Sequence, residues 1–170
     1  MLFMSYTPRP DSDARGYEDW LRATDNPFFN DQPAIAHYSN WKLVDGAGAQ
    51  NGFTHFDFMF LRTGASPGDL FGTPEVQQFV GGWTRHWGRE PDGPPEHNCA
   101  CCLLTLAGEP KPDWANMVVL SLDAPALEGE TWHLEADLIG QAPFQRLGRR
   151  FIQPGAAPGI GLRAELIAAP

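Results

Sequence analysis

The chain has 170 residues, a length that suits one domain, and 42% of them are hydrophobic, with six Trp and eleven Phe to fill a core without disulfides or a structural metal. Its 21 Asp and Glu against 12 Lys and Arg give a formal charge of −9, which opposes nucleic-acid phosphates and anionic membranes. Purely apolar runs such as Met117 to Leu120 are far below the roughly 20 residues of a membrane span, and the three cysteines are bunched at Cys99, Cys101 and Cys102, a poor disulfide framework. With no basic-then-apolar leader at the start, a cytoplasmic protein is expected.

In chain order, Leu2 to Thr7 is a short apolar run closed by Pro8 and Pro10 and predicts a first strand. Asp11 or Asp13 then caps a helix whose apolar stripe is Tyr17, Trp20, Leu21 and Thr24, ending near Pro27. Ala34 to Val44 and Phe53 to Leu61 alternate as strands, joined by a Gly- and Asn-rich hairpin loop from Asp45 to Gly52, and should pair antiparallel. Thr73-Pro74-Glu75 starts a second helix, with Thr as cap and Pro at the first position, carrying Val76, Phe79, Val80 and Trp83 to an end near Gly88. The Pro-rich stretch from Arg89 to Glu96 reads as a loop and a possible lid. Strands follow at 99–106, 117–122, 132–139 and 161–167, with a short helix around Phe144 to Phe151.

The order strand, helix, strand, strand, helix, strand over about residues 1–106 is that of a ferredoxin-like split βαβ α+β fold with an antiparallel sheet. At Asn26-Pro27-Phe28-Phe29 and Pro33-Ala34-Ile35-Ala36-His37-Tyr38 the sequence resembles the dimeric α+β barrel superfamily. The length fits one domain over 1–170, with residues 107–170, which the small family members lack, expected as an elaboration packed on the 1–106 core. The resemblance implies a homodimer in which two sheets meet face to face, each protomer holding a cleft between sheet and helices. Members include cofactor-free cyclases, isomerases and lyases, quinol-type monooxygenases, haem enzymes and proteins without known catalysis.

Side-chain alternation places His37 with Ser39 and Trp41, and His55 with Asp57 and Met59. If the two faces align, His37, His55 and Asp57 converge as an acid/base group acting on a hydrophobic, aromatic molecule packed by Tyr17, Tyr38 or Trp41. The bland alternative is that both histidines are satisfied core residues. Trp83 and His86, three apart on the second helix, could roof the cavity, and Asn26 could recognise a phenol or carbonyl oxygen. The Cys99 to Cys102 run lacks zinc-site spacing, and no cofactor is expected. His133, Glu135 and Asp137 share one strand face and form either a divalent-metal set or a solvated face. The functions that follow are a cofactor-independent lyase, isomerase or cyclase, a quinol-type monooxygenase or haem protein, or a binding protein without catalysis.

Overall fold

The computed structural model describes residues 1–44, 51–106, 108, 115–124, 129–152 and 161–170. Eight strands make up its body: β1 (Leu2–Tyr6), β2 (Ile35–Leu43), β3 (His55–Leu61), β4 (Cys99–Leu106), β5 (Met117–Leu122), β6 (Glu130–Asp137), β7 (Arg146–Phe151) and β8 (Leu162–Ala168). Every pairing is antiparallel, and the order β1-β3-β2-β8-β5-β7-β6-β4 closes on itself because β4 also bonds to β1. Closure leaves no sheet edge, and a barrel of eight strands is just wide enough for its interior to be filled by side chains. Phe3, Trp41, Phe56, Phe58, Leu120 and Trp132 do this, with the Phe3 and Phe56 rings 5.4 Å apart.

The helical segments all precede β4 and lie outside the barrel. A 3-10 turn (Asp13–Arg15) leads through Gly16, at φ 79°, into α1 (Tyr17–Trp20), a π-helical turn (Leu21–Asp25) and α2 (Asn26–Asn30). The buried stripe of this segment runs Tyr17, Leu21, Asp25 and Asn26, while Thr24, expected on that stripe, is exposed. α3 (Pro67–Phe71) carries a capping box between Ser66 and Asp69, and α4 (Pro74–Trp87) starts as its sequence predicts, with the Thr73 hydroxyl accepting from the Val76 amide. Leu70 of α3 and Val76 of α4 pack with Leu2, Ile35, Tyr38, Met59 and Cys101 on the outer surface of β1 to β4.

Two expectations are corrected here. The fold is a closed antiparallel β-barrel with a few short helices, not a ferredoxin-like α+β domain, and the dimeric α+β barrel expectation goes with it. In that expectation a second protomer supplies the other sheet, whereas here β5 to β8 of the same chain complete the ring, so residues 117–168 are half of the barrel rather than an addition to it. The helix expected around Phe144 to Phe151 is strand β7, in which Leu147, Arg149 and Phe151 alternate onto one face. Most of the Asp45 to Gly52 loop lies outside the described residues. Among the described residues, no helix is long and apolar enough to cross a membrane.

Candidate functional site

Register decides which candidate residues meet. A bulge between Ile35 and His37 sets His37 opposite Phe60, Tyr38 opposite Met59 and Asn40 opposite Asp57. Tyr38 and Asn40 therefore share the outer, helix-covered face of the sheet with His55 and Asp57, and His37 points to the barrel interior with Phe60 and Trp41. The structure brings His55 and Asp57 together and separates His37 from them. Burial, and then the nearby Arg149 guanidinium, lower the pKa of His37.

On the helix-covered face a polar cluster is buried. Asp57 of β3 and Asp25 of the π-helical turn are 4% and 3% exposed. The side-chain amide of Asn40 donates to Asp25 Oδ2 and to Asp57 Oδ1, each at 2.9 Å, and lies 2.8 Å from the Tyr38 hydroxyl. That hydroxyl donates to Asp25 Oδ2 at 2.6 Å, and the Tyr6 hydroxyl donates to Asp57 Oδ1 at 3.2 Å.

The orientation of Asn40 is itself held. Asn26 Nδ2 donates to Asn40 Oδ1 at 3.0 Å, and Asn30 Nδ2 donates to Asn26 Oδ1 at 3.0 Å, so the amide oxygens point along α2 and the Asn40 nitrogen faces the acids. Asn30 Oδ1 also accepts from the Tyr38 backbone N–H at 2.9 Å, in the part of β2 that β8 does not reach. The helix thus satisfies a strand end and aims the site with the same residues. π-turns recur at functional sites, and this one ends on Asp25, delivering Asp25 and Asn26 together to the sheet.

Electrostatics follow from burial. Desolvation pushes the Asp25 carboxyl up to about 6, against the bonds from Tyr38 and Asn40 that favour its ionised form. Asp57 is raised well above the usual carboxylate range, by desolvation and then by the charge of Asp25. Two carboxyls this close in a dry site share one proton near neutrality. The Tyr6, Tyr17 and Tyr38 hydroxyls are held well above their usual range by burial, so all three stay protonated and donate.

His55 flanks this cluster. Its ring stacks on Tyr6 at 5.8 Å and meets Tyr17 edge-on at 5.6 Å, with Nδ1 2.9 Å from the Thr54 hydroxyl. Burial, and then the Lys42 charge, bring its pKa down to about 4, so the imidazole is neutral. Its Nε2 has no hydrogen-bond partner among the described residues.

A cavity of about 40 Å³ lies over the acid pair. Its floor is Met4, Tyr6, Asp57 and Met59 on the sheet, its roof Phe79, Val80 and Trp83 on α4, and one end is Asn98 and Cys99. Trp83 also donates through Nε1 to the Tyr17 hydroxyl at 2.9 Å, tying the roof to α1.

Of the remaining candidates, Trp41 fills the barrel interior and His86 is exposed on α4. His133, Glu135 and Asp137 alternate outward into solvent, and Asp137 caps a turn by accepting from the Gly140 and Ala142 amides. Among the described residues no three His, Cys, Asp or Glu side chains gather as metal ligands. Asp25, Tyr6 and Asn40 were not singled out in the sequence, although Asp25 lies four residues after Leu21, in line with the apolar stripe, where a carboxylate is out of place.

The architecture is thus a closed β-barrel that carries a buried carboxyl pair on its outer, helix-covered wall. Comparison with protein-family models, curated proteins and solved structures finds no match to the chain. A closed barrel does not by itself indicate catalysis, and the expectations of lyase or isomerase chemistry and of a homodimer find no support in it.

Proposed function

We propose that the protein moves protons to and from a small, largely apolar molecule, with Asp25 and Asp57 as the acid/base pair. The observation that carries this reading is the single Asn40 amide binding both carboxyls that line a cavity otherwise mainly apolar. One carboxyl keeps a proton and can donate it while its ionised neighbour accepts, and a carboxyl raised to about 6 is matched to work near neutral pH. Asn40, Tyr6 and Tyr38 position the pair, and the neutral His55 ring stacks on Tyr6. Three free thiols, Cys99, Cys101 and Cys102, support a reducing, cytoplasmic setting.

The test is deuterium incorporation from D2O into a panel of small C–H acids, amino-substituted members included, followed by NMR. Wild-type protein should catalyse exchange into at least one of them, and Asp57→Asn and Asp25→Asn, which keep an acceptor oxygen for their partners, should each lower that rate at least 100-fold. Exchange no faster with wild-type protein than with both variants would overturn the reading.

A further inference from the structure

We propose that the cavity over Asp25 and Asp57 binds the primary ammonium group of a slim aliphatic amine. This rests on the acid/base reading of the same cavity and names its ligand class.

Charge is the first argument. Two carboxyls line the cavity, and among the described residues no Lys, Arg or His does. When the pair shares one proton it still carries one negative charge, and a buried charge without a counter-ion is costly. The other titratable groups packed around it from β1, β2, β3, α1 and β4 are Tyr6, Tyr38, His55, Tyr17 and Cys99. All are neutral, the tyrosines and Cys99 by upward shifts, to about 11 for Cys99, and His55 by its downward one. A cationic ligand supplies what the protein omits.

The second argument is unused hydrogen-bonding capacity. The bonds to the acids all fall on Asp25 Oδ2 and Asp57 Oδ1. The other oxygen of each carboxyl accepts no hydrogen bond among the described residues, although both side chains are more than nine-tenths buried and line the cavity. A primary ammonium has three donors, enough for both free oxygens and one more acceptor. Around it the rings of Tyr6, Tyr38, Phe29, Phe79 and Trp83 offer faces or edges, and ring faces attract cations.

Size is the third. The cavity measures about 40 Å³, against roughly 10–15 Å³ for one water and about 150 Å³ for a cavity that holds benzene. It has room for an ammonium and its first methylene, with the rest of the chain in the mouth. Neither a trimethylammonium head nor an aromatic ring fits that volume.

Isothermal titration of the full-length protein with n-propylammonium, n-propanol and n-propyltrimethylammonium, in two buffers of different ionisation enthalpy, tests this. The primary amine should bind at least tenfold more tightly than either analogue and release protons near pH 6, because its charge lowers the pKa of the pair. Asp57→Asn should weaken amine binding at least tenfold, and if that variant does not fold, Asp25→Asn takes its place. Equal or tighter binding of the alcohol, binding of the quaternary amine as tight as the primary, or no binding of the amine overturns the proposal, and wild-type protein alone decides these. Amine binding without deuterium exchange would retain the ligand and remove the chemistry, whereas exchange without amine selectivity would do the reverse.

Discussion

Asp25 and Asp57 accept hydrogen bonds from one nitrogen, the side-chain amide of Asn40, at 2.9 Å each. The two acids arrive from different elements, a π-helical turn and the central strand of the helix-covered wall, so the contact also joins helix to barrel. Burial strips both carboxyls of water, and their donors, Asn40 and the Tyr6 and Tyr38 hydroxyls, are all neutral, so the upward pKa shifts follow from desolvation that no counter-charge offsets.

Stability should therefore fall as pH rises through the range from about 4 to 6. An acid whose folded pKa is raised holds a proton in the native state that the unfolded chain has already lost, so the native state binds more protons across that window. Below the unfolded value both states are protonated and the penalty vanishes. Asp57, raised further, extends the decline upward. Asp57→Asn should flatten the profile and stabilise the protein at pH 7 by about 1–3 kcal/mol. Urea midpoints measured at pH 4.5, 6 and 7.5 for both proteins check it, and a wild-type midpoint that rises with pH over that range would count against the shared-proton pair.

Asn40→Ala should be more damaging than its size implies. It removes the donor common to both acids and the acceptor of the Asn26 amide, for a loss of about 2–4 kcal/mol. It should also push both carboxyls further up, since the Asn40 bonds favour their ionised forms. Carboxyl 13C titration reads the shift. In a double-mutant cycle with Asp57→Ala the two effects should not add, because both changes remove the same Asn40–Asp57 bond.

Strand positions were legible because period-two alternation is a local property: β4 and β5 lie at the predicted 99–106 and 117–122. The closed ring was not, because β5 to β8 carry no mark of which strand each will join. The site was half legible for the same reason. Asp57, His55, Tyr17, Tyr38, Asn26 and Trp83 were named from the sequence and do gather on one wall, but the alignment of His37 with His55 turned on a bulge of one residue near Ile35. Asp25 carried a readable signal, a carboxylate in the phase of an apolar stripe. β7, where a short helix was expected, hides its alternation because three of its six residues are arginines, and only the fold shows that Arg149 among them is buried.

The thiols should be inert in the folded protein. Burial pushes the Cys99 and Cys102 thiols up to about 11 and about 12, and Cys101, packed beneath the helices, higher still. At pH 8 almost none of each is thiolate, the reactive form. Titration with a thiol-disulfide reagent should show no fast-reacting group in native protein and three in urea. One rapid equivalent in native protein would show that the β4 end near Cys99 opens.

The barrel interior holds a second polar pair whose energetics differ from those of the acid pair. Arg149 of β7 lies directly across from Glu130 of β6 and bonds Glu130 Oε2 through Nε, at 2.7 Å, and through Nη2. Its guanidinium sits 4.8 to 5.6 Å from the ring centroids of Phe58, Phe60, Trp132 and Phe151. The two side chains are 1% and 4% exposed, so removing one partner takes its charge-assisted bonds away from a charge buried in an aromatic interior. Glu130→Ala should destabilise by about 3–5 kcal/mol, whereas the double change Glu130→Leu with Arg149→Met, which removes both charges and keeps most of the volume, should come within about 2 kcal/mol of wild type or exceed it. Urea denaturation of the three proteins checks the order. A double variant no more stable than Glu130→Ala would mean that the ring contacts of Arg149, rather than the ion pair, hold this end of the barrel together.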